Sequence, residues 1–130
     1  MKLTSRGVYA IQAVLDMVKN SQGKAVKLQD IAQRQGLSLY YLEQLFRKLR
    51  QSGVVRSVRG PGGGYVLSKN ADVATVGEVL AGVKEVLDYS VKVKLSVTPT
   101  EEALAMSKLA SDLSNSVKML LDTKLCDLVK

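Results

Sequence analysis

A mainly α-helical chain with one small β-hairpin and a long helix near its C-terminal end is the fold class this 130-residue sequence predicts. Three stretches carry that prediction. Residues 29–51 read as two helices joined by a tight turn at Gly36. Residues 54–67 read as two short apolar strands on either side of Arg59-Gly-Pro-Gly-Gly-Gly64. Residues 99–122 repeat apolar side chains at helical spacing.

The first helix can be capped by Thr4 or Ser5. Val8, Ile11, Leu15 and Val18, with Ala10 and Val14 beside them, form its apolar stripe, and it runs to about Asn20. This is scaffold. Lys2, Arg6 and Tyr9 near its start read most simply as solvated residues, although a phosphate backbone is within their reach. A second helix, about Gln29 to Gln35, turns Ile31 and Ala32 inward and ends at Gly36, which supplies the left-handed residue the turn needs. Ser38 then caps a third helix, about Leu39 to Gln51, whose buried stripe is Leu42, Leu45, Phe46 and Leu49. Helix, glycine-containing turn and capped helix is the outline of a helix-turn-helix.

Gly53 breaks the third helix. Val54, Val55 and Val58 read as a strand and Tyr65-Val-Leu67 as its return, with a glycine-rich tip between. Helix-turn-helix followed by such a hairpin is a winged helix-turn-helix. A P-loop would need Gly-Lys-Ser/Thr opening a helix, whereas these glycines run into Tyr65-Val-Leu67. A dinucleotide fingerprint would need a parallel sheet, and the sequence offers none.

After Asn70 the character changes. Thr75-Val-Gly-Glu78 fits a capping box for a helix to about Glu85, with Val76, Val79, Leu80 and Val83 inward. Tyr89 to Val97 alternates apolar and polar residues, which fits a strand or extended segment and equally an ordered connector. Thr98 as cap, Pro99 at the first helical position and Glu101 completing a box start the long helix, which runs to about Asp122. Its apolar positions, among them Leu104, Met106, Leu109, Leu113 and Leu120, exceed what one helix-turn-helix can cover, so it reads as a dimerisation helix. Thr123 caps a last turn, Lys124 to Val129, in which Cys126 reads as a small buried apolar residue. The organisation expected is a DNA-binding unit over 1–85, a connector over 86–98, and a dimerisation helix with a terminal turn over 99–130.

Composition bounds the chemistry. Apolar residues make up 46% of the chain, enough for a core built from Leu, Val, Ala and Ile, since aromatics are only 5%. No apolar run approaches the roughly 20 residues of a membrane span, and the first residues lack the apolar region of a secretory signal. A cytoplasmic protein is expected. Cys126 is alone and histidine is absent. An internal disulfide, a Cys/His metal site within one chain and Ser-His or Cys-His catalysis are thereby excluded, and no enzyme reading has support. Charge is uneven: residues 1–70 hold 12 Lys/Arg against 3 acids, whereas residues 71–130 hold 7 Lys against 9 acids. A basic first half with a near-neutral second half points to a polyanion partner for the first half.

Double-stranded DNA fits that partner. A recognition helix reads bases with its N-terminal residues, here Ser38, Tyr40, Tyr41, Glu43 and Gln44. Gln pairs with adenine, Glu accepts from the cytosine amino group, and hydroxyls serve phosphate or base. Arg47, Lys48 and Arg50 are placed for phosphates. At the wing tip, Arg59 beside Gly60 is the side chain to enter a narrow minor groove, where the negative potential is strongest. The alternative is a winged-helix interaction module for a protein or RNA partner, which leaves the polar helix start without a task.

Several stretches resemble one family closely. They are Leu3-Thr-Ser-Arg-Gly-Val-Tyr-Ala10, Ile31-Ala-Gln-Arg-Gln-Gly-Leu-Ser38, Tyr41-Leu-Glu-Gln-Leu-Phe46, Val58-Arg-Gly-Pro-Gly-Gly-Gly-Tyr65 and Val76-Gly-Glu-Val79. The chain is similar to the Rrf-two family of bacterial transcription regulators, and within it to the IscR-type iron–sulfur cluster regulators. The resemblance implies a homodimer on a partly palindromic operator. It implies base or nearby backbone contacts from Ser38, Tyr41, Glu43 and Gln44, and Arg59 in the minor groove. It also implies a two-iron two-sulfur cluster held by three cysteines and a histidine between the fourth helix and the long helix. The corresponding segment here, roughly Asp88 to Lys108, contains neither residue type, and Cys126 lies too far along to replace them. The sequence therefore predicts no cofactor, since the chain holds no ligand set for an iron–sulfur cluster, and a natural clusterless member and a variant with replaced ligands both stay open.

Overall fold

The computed structural model describes residues 3–85 and 97–129. Its elements are α1 (Ser5–Asn20), α2 (Leu28–Gln35), α3 (Leu39–Gln51), β1 (Val55–Val58), β2 (Gly64–Leu67), α4 (Val76–Gly82), α5 (Glu101–Leu121) and α6 (Leu125–Leu128). The mainly helical fold with a small wing and a long C-terminal helix is as the sequence predicts.

The three N-terminal helices close on one core. Ala10, Ala13, Val14 and Met17 of α1, Ile31 of α2, and Leu42, Leu45, Phe46 and Leu49 of α3 are buried in it. Two of the predicted stripe residues of α1, Ile11 and Leu15, are only half-buried at its margin, and Val8 is exposed. The inward face of α1 is thus rotated toward its small residues, which let α2 and α3 approach closely. Gly36 ends α2 at a φ of 65°. Ser38 caps α3, its Oγ accepting from the Tyr41 amide at 3.3 Å.

Several boundaries differ from expectation, each for a local reason. Thr4 stands at the first cap position, but its hydroxyl does not cap α1. It donates to the Glu85 carboxylate at 2.6 Å, and its amide donates there at 2.8 Å. Helix α4 ends at Gly82, a turn short of Glu85. The Glu85 amide reaches back to the Leu80 carbonyl at 2.9 Å and the Lys84 amide to the Ala81 carbonyl at 3.0 Å. With Lys84 at a φ of 59°, this is a Schellman end built without glycine, and nothing in the residue types announces it. It turns Glu85 back onto the start of α1.

At the start of α4, Thr75 caps as predicted, its Oγ1 accepting from the Glu78 amide at 3.2 Å. The reciprocal half of the box is replaced by a pairing of Glu78 with Lys69 at 3.4 Å. The cap of α5 is Thr100, not Thr98, its Oγ1 accepting from the Ala103 amide at 3.1 Å. Pro99 therefore precedes the helix. This start puts both Glu101 and Glu102 in the first turn, beside the positive end of the helix dipole.

The end of the chain folds back along the segment before α4. Lys124, not Thr123, stands at the cap position of α6, because the Thr123 carbonyl is taken by the Val76 amide at 3.0 Å. The Leu125 amide bonds the Ala74 carbonyl at 2.9 Å and seats Leu125 in the core. Cys126 is half-buried rather than buried. Among the described residues of α5 only Ala110 is buried, while Leu104, Met106, Leu109, Leu113, Met119 and Leu120 are 43–73% exposed. The expected alternation over Tyr89–Val97 lies outside the described residues, apart from an exposed Val97.

Candidate nucleic-acid interface

The outer face of α3 carries the predicted readers. Tyr40 is 73% exposed; Ser38, Glu43 and Arg47 are also exposed, and Gln44 and Lys48 are half-buried. At 3.6 residues per turn, Tyr40, Gln44 and Lys48 descend one flank of this face and Glu43, Arg47 and Arg50 the other. Tyr41 sits apart. Its ring meets that of Tyr9 edge-on, at 5.9 Å between centroids and 89° between planes. It therefore braces α3 against α1, with its hydroxyl as the group left for a partner.

Glu43, Arg47 and Arg50 line one cleft together with Leu28 of α2 and Tyr65 of β2. The two last stand outside the site residues that the sequence predicts. Tyr65 packs on Phe46 at a centroid distance of 5.2 Å, so the wing is fixed to the back of α3 by an aromatic pair. The sequence does contain a signal, an aromatic residue following the glycine run, but not its partner.

The wing is a two-stranded antiparallel ribbon in the register Val55 with Leu67, Arg56 with Val66, Ser57 with Tyr65, and Val58 with Gly64. A third extended segment joins it: the amide and carbonyl of Val26 exchange hydrogen bonds with those of Tyr65 at 2.9 and 2.8 Å. The tip is a tight turn closed by the Gly63 amide on the Gly60 carbonyl at 2.9 Å. Pro61 takes its second position and Gly62, at a φ of 74°, its third, the type II pattern. At Gly64 the constraint is space, since a Cβ there would stand 2.4 Å from the Val26 carbonyl oxygen. The glycine run thus builds a tightly turned wing, and Arg59 and Gly60 stand exposed at its end.

The face is electropositive and its cations are uncommitted. The ion pairs among the described residues join Arg6 to Glu85, Arg34 to Asp16 and Lys69 to Glu78. Arg47, Lys48, Arg50 and Arg59 enter none of them. The Cys126 thiol is half-buried. Burial first, and then the neighbouring Asp127 carboxylate, push its pKa up. Among the described residues no three His, Cys, Asp or Glu side chains come together as a metal site, and no helix is long and apolar enough to cross a membrane.

A capped second helix with a polar outer face, a glycine-tipped wing fixed beside it and a long trailing helix define the winged helix-turn-helix class of transcription regulators. The chain belongs to the Rrf2 family, the iron-dependent transcriptional regulators, whose sequence model matches residues 3–130. It is 57% identical over 88 residues to the HTH-type transcriptional regulator IscR of Escherichia coli O1:K1, covering 68% of this chain and 54% of that protein. The same identity and coverage hold for IscR of Escherichia coli strain K12 / DH10B. The chain spans about half the length of these curated relatives.

Among solved structures it is similar to CymR (YrzC), the global cysteine regulator of B. subtilis, with 33% identity, a TM-score of 0.78, and 98% and 95% of the two chains covered. It is similar also to T. potens IscR, with 34% identity, a TM-score of 0.75, and 99% and 86% covered. The family and these relatives are transcription regulators and not enzymes. The donor set of this chain, one half-buried thiol and no imidazole, does not fit the three-cysteine, one-histidine cluster that the IscR resemblance implies.

Proposed function

We propose that this protein is a sequence-specific DNA-binding regulator that acts as a homodimer on a partly palindromic operator, without an iron–sulfur cluster. The observation that carries the reading is the pairing of an uncommitted cationic face on α3 with a glycine-tipped wing beside it. In this reading α3 lies in the major groove. Ser38, Tyr40, Glu43 and Gln44 reach base edges, and the Tyr41 hydroxyl reaches backbone or base. Arg47, Lys48 and Arg50 meet phosphates. Arg59, with Gly60 allowing close approach, enters the adjacent minor groove. Two copies pair through the exposed apolar face of α5, which sets two half-sites in opposite orientation.

Selection of bound duplexes from a random pool, read by sequencing, tests this directly. A partly palindromic motif is expected. Equal binding of selected and random duplexes would sink sequence specificity. No duplex binding at moderate salt, with a protein or RNA co-purifying, would favour an interaction module instead.

A further inference from the structure

We propose that the recess between the C-terminal end of α1 and the wing strands binds a small organic anion, and that its occupation modulates the DNA interface. The second half rests on the DNA-binding reading above; the first does not.

The recess measures 320 Å³. Met17 of α1 and Val66 of β2 give it an apolar floor, and Lys24, Arg56 and Lys69 stand around it with Asn70 as a neutral polar group. None of its lining residues is acidic. Lys69 is shared with Glu78 at 3.4 Å, whereas Lys24 and Arg56 enter none of the ion pairs among the described residues. No lining residue belongs to α3 or to the wing tip, so the recess is separate from the cleft that holds Glu43, Arg47 and Arg50.

These features select a class of ligand. Cations at an open rim contribute little alone, because water screens them. An apolar floor alone would not discriminate charge. Together they suit a carboxylate on a short hydrocarbon or single-ring body. At about 30 Å³ for each water-sized unit, the recess holds roughly ten such units, the size of such a molecule. The walls give the binding a consequence. One wall is α1, the scaffold helix, and the other is the wing itself. A ligand touching both favours one placement of the wing, and by linkage DNA would alter the affinity for the ligand by the same factor.

Titration of the ¹⁵N-labelled 130-residue chain with benzoate, followed by amide shifts without DNA, tests the site. The expected result is one saturable curve shared by Lys24, Arg56, Val66 and Asn70. Arg56→Gln and Lys24→Gln, both on exposed side chains, should each weaken binding about tenfold, and benzyl alcohol should not saturate. Non-saturating shifts, shifts centred on α5, or equal binding of benzyl alcohol would overturn the site. Benzoate should then change the affinity for the selected duplex in the natural protein and not in the double variant; an unchanged affinity would overturn the regulatory half alone. If the double variant, free of benzoate, lost DNA affinity with a shallower salt slope, the cations would contact phosphates themselves, benzoate would merely compete with DNA, and the regulatory half would fail. Because the binding arm contains no DNA, failure of the DNA-binding reading leaves it intact.

Discussion

Arg34 grips the carboxylate of Asp16 with two nitrogens, Nη2 donating to Oδ1 at 2.6 Å and Nε to Oδ2 at 3.0 Å, and so ties α2 to α1. Gln35 adds a third bond to Asp16 Oδ2 at 2.8 Å, and Gln12 donates to Gln35 Oε1 at 2.8 Å. The Asp16 side chain is fully removed from water while Arg34 remains 39% exposed. Burial pushes the Asp16 pKa up, but the bonds from Arg34 and Gln35 and the charge of Arg34 outweigh it, leaving the carboxyl below its ordinary value.

The sign of the pH dependence follows. A depressed folded-state pKa gives stability that is present above the unfolded value, about 3.9 for Asp, and is lost as pH falls through the lower folded value. Glu85 acts in the same direction, held down first by the Thr4 hydroxyl and amide and then by Arg6. Arg34→Ala leaves a buried carboxylate without its cation. We expect a loss of roughly 3 kcal/mol at neutral pH, the low end for breaking a buried pair, since Arg34 keeps part of its hydration. Asp16→Asn should flatten the difference between urea midpoints at pH 7 and pH 3. Unchanged midpoints for both variants would show that the pair contributes nothing.

Much of this fold is legible because local residue types decide it. The stripe Leu42, Leu45, Phe46 and Leu49 and the cap at Ser38 fix α3, and the Gly-Pro-Gly run fixes the wing turn. What was not legible is long-range. Nothing local shows that Thr4 will serve Glu85 from 81 positions away, that Lys84 will take a glycine's conformation, or that Val26 will pair with Tyr65. The site divides in the same way. Exposed readers such as Tyr40 follow from helix periodicity, whereas the brace between Tyr41 and Tyr9, and the cleft wall at Leu28 and Tyr65, depend on which elements meet.

The contact of Gly64 with Val26 gives a sharp test of the wing. A methyl group at Gly64 would press on the Val26 carbonyl at 2.4 Å, and main chain cannot swing aside as a side chain would. Gly64→Ala should therefore cost about 1–3 kcal/mol in overpacking and displace the tip. The helical core does not include Gly64, so helix content should persist while duplex affinity falls. Circular dichroism together with a gel shift separates the two effects; a variant with undiminished duplex binding would remove the wing from the interface.

Base reading and groove insertion predict different signatures. Gln44→Ala should cost about 1–3 kcal/mol on the selected duplex and relax preference at one position of each half-site. Arg59→Ala should weaken binding by a comparable amount and lower the preference for narrow-groove sequence at the wing position. The salt slope, near −0.9 per phosphate neutralised, should become shallower for Arg47→Gln and stay unchanged for Gln44→Ala. Fluorescence anisotropy over a salt series reads all three variants. Identical slopes throughout would deny Arg47 a phosphate contact.

Iron–sulfur dependence is tested by colour and by thiol chemistry. With one thiol and no histidine, the protein isolated without oxygen is expected to show no cluster absorbance in the visible range. Because burial and Asp127 raise the Cys126 pKa, its alkylation at neutral pH should be slower than that of a free cysteine. Cys126→Ser should leave duplex affinity unchanged. A visible charge-transfer band abolished by Cys126→Ser would instead show ligation shared between chains.

Helix α5 carries the last prediction. Met106, Leu109, Leu113 and Leu120 follow one another at intervals of three, four and seven residues along one helical stripe, and all four are exposed in the single chain. Such a stripe left in water is costly, at about 25 cal/mol for each Å², and in the proposed homodimer a second copy would cover it by symmetry. Leu113 lies at the middle of the stripe and belongs to no part of the core, so Leu113→Glu should leave the fold intact. In a two-fold interface the substituted carboxylates appear twice, and a central anchor of this kind is worth roughly 2 kcal/mol or more. Sedimentation velocity is expected to show a dimer for the natural chain and a monomer for Leu113→Glu. The monomer should retain binding to an isolated half-site and lose the added affinity of the full palindrome. A Leu113→Glu protein that still sediments as a dimer would place the pairing surface elsewhere on the molecule.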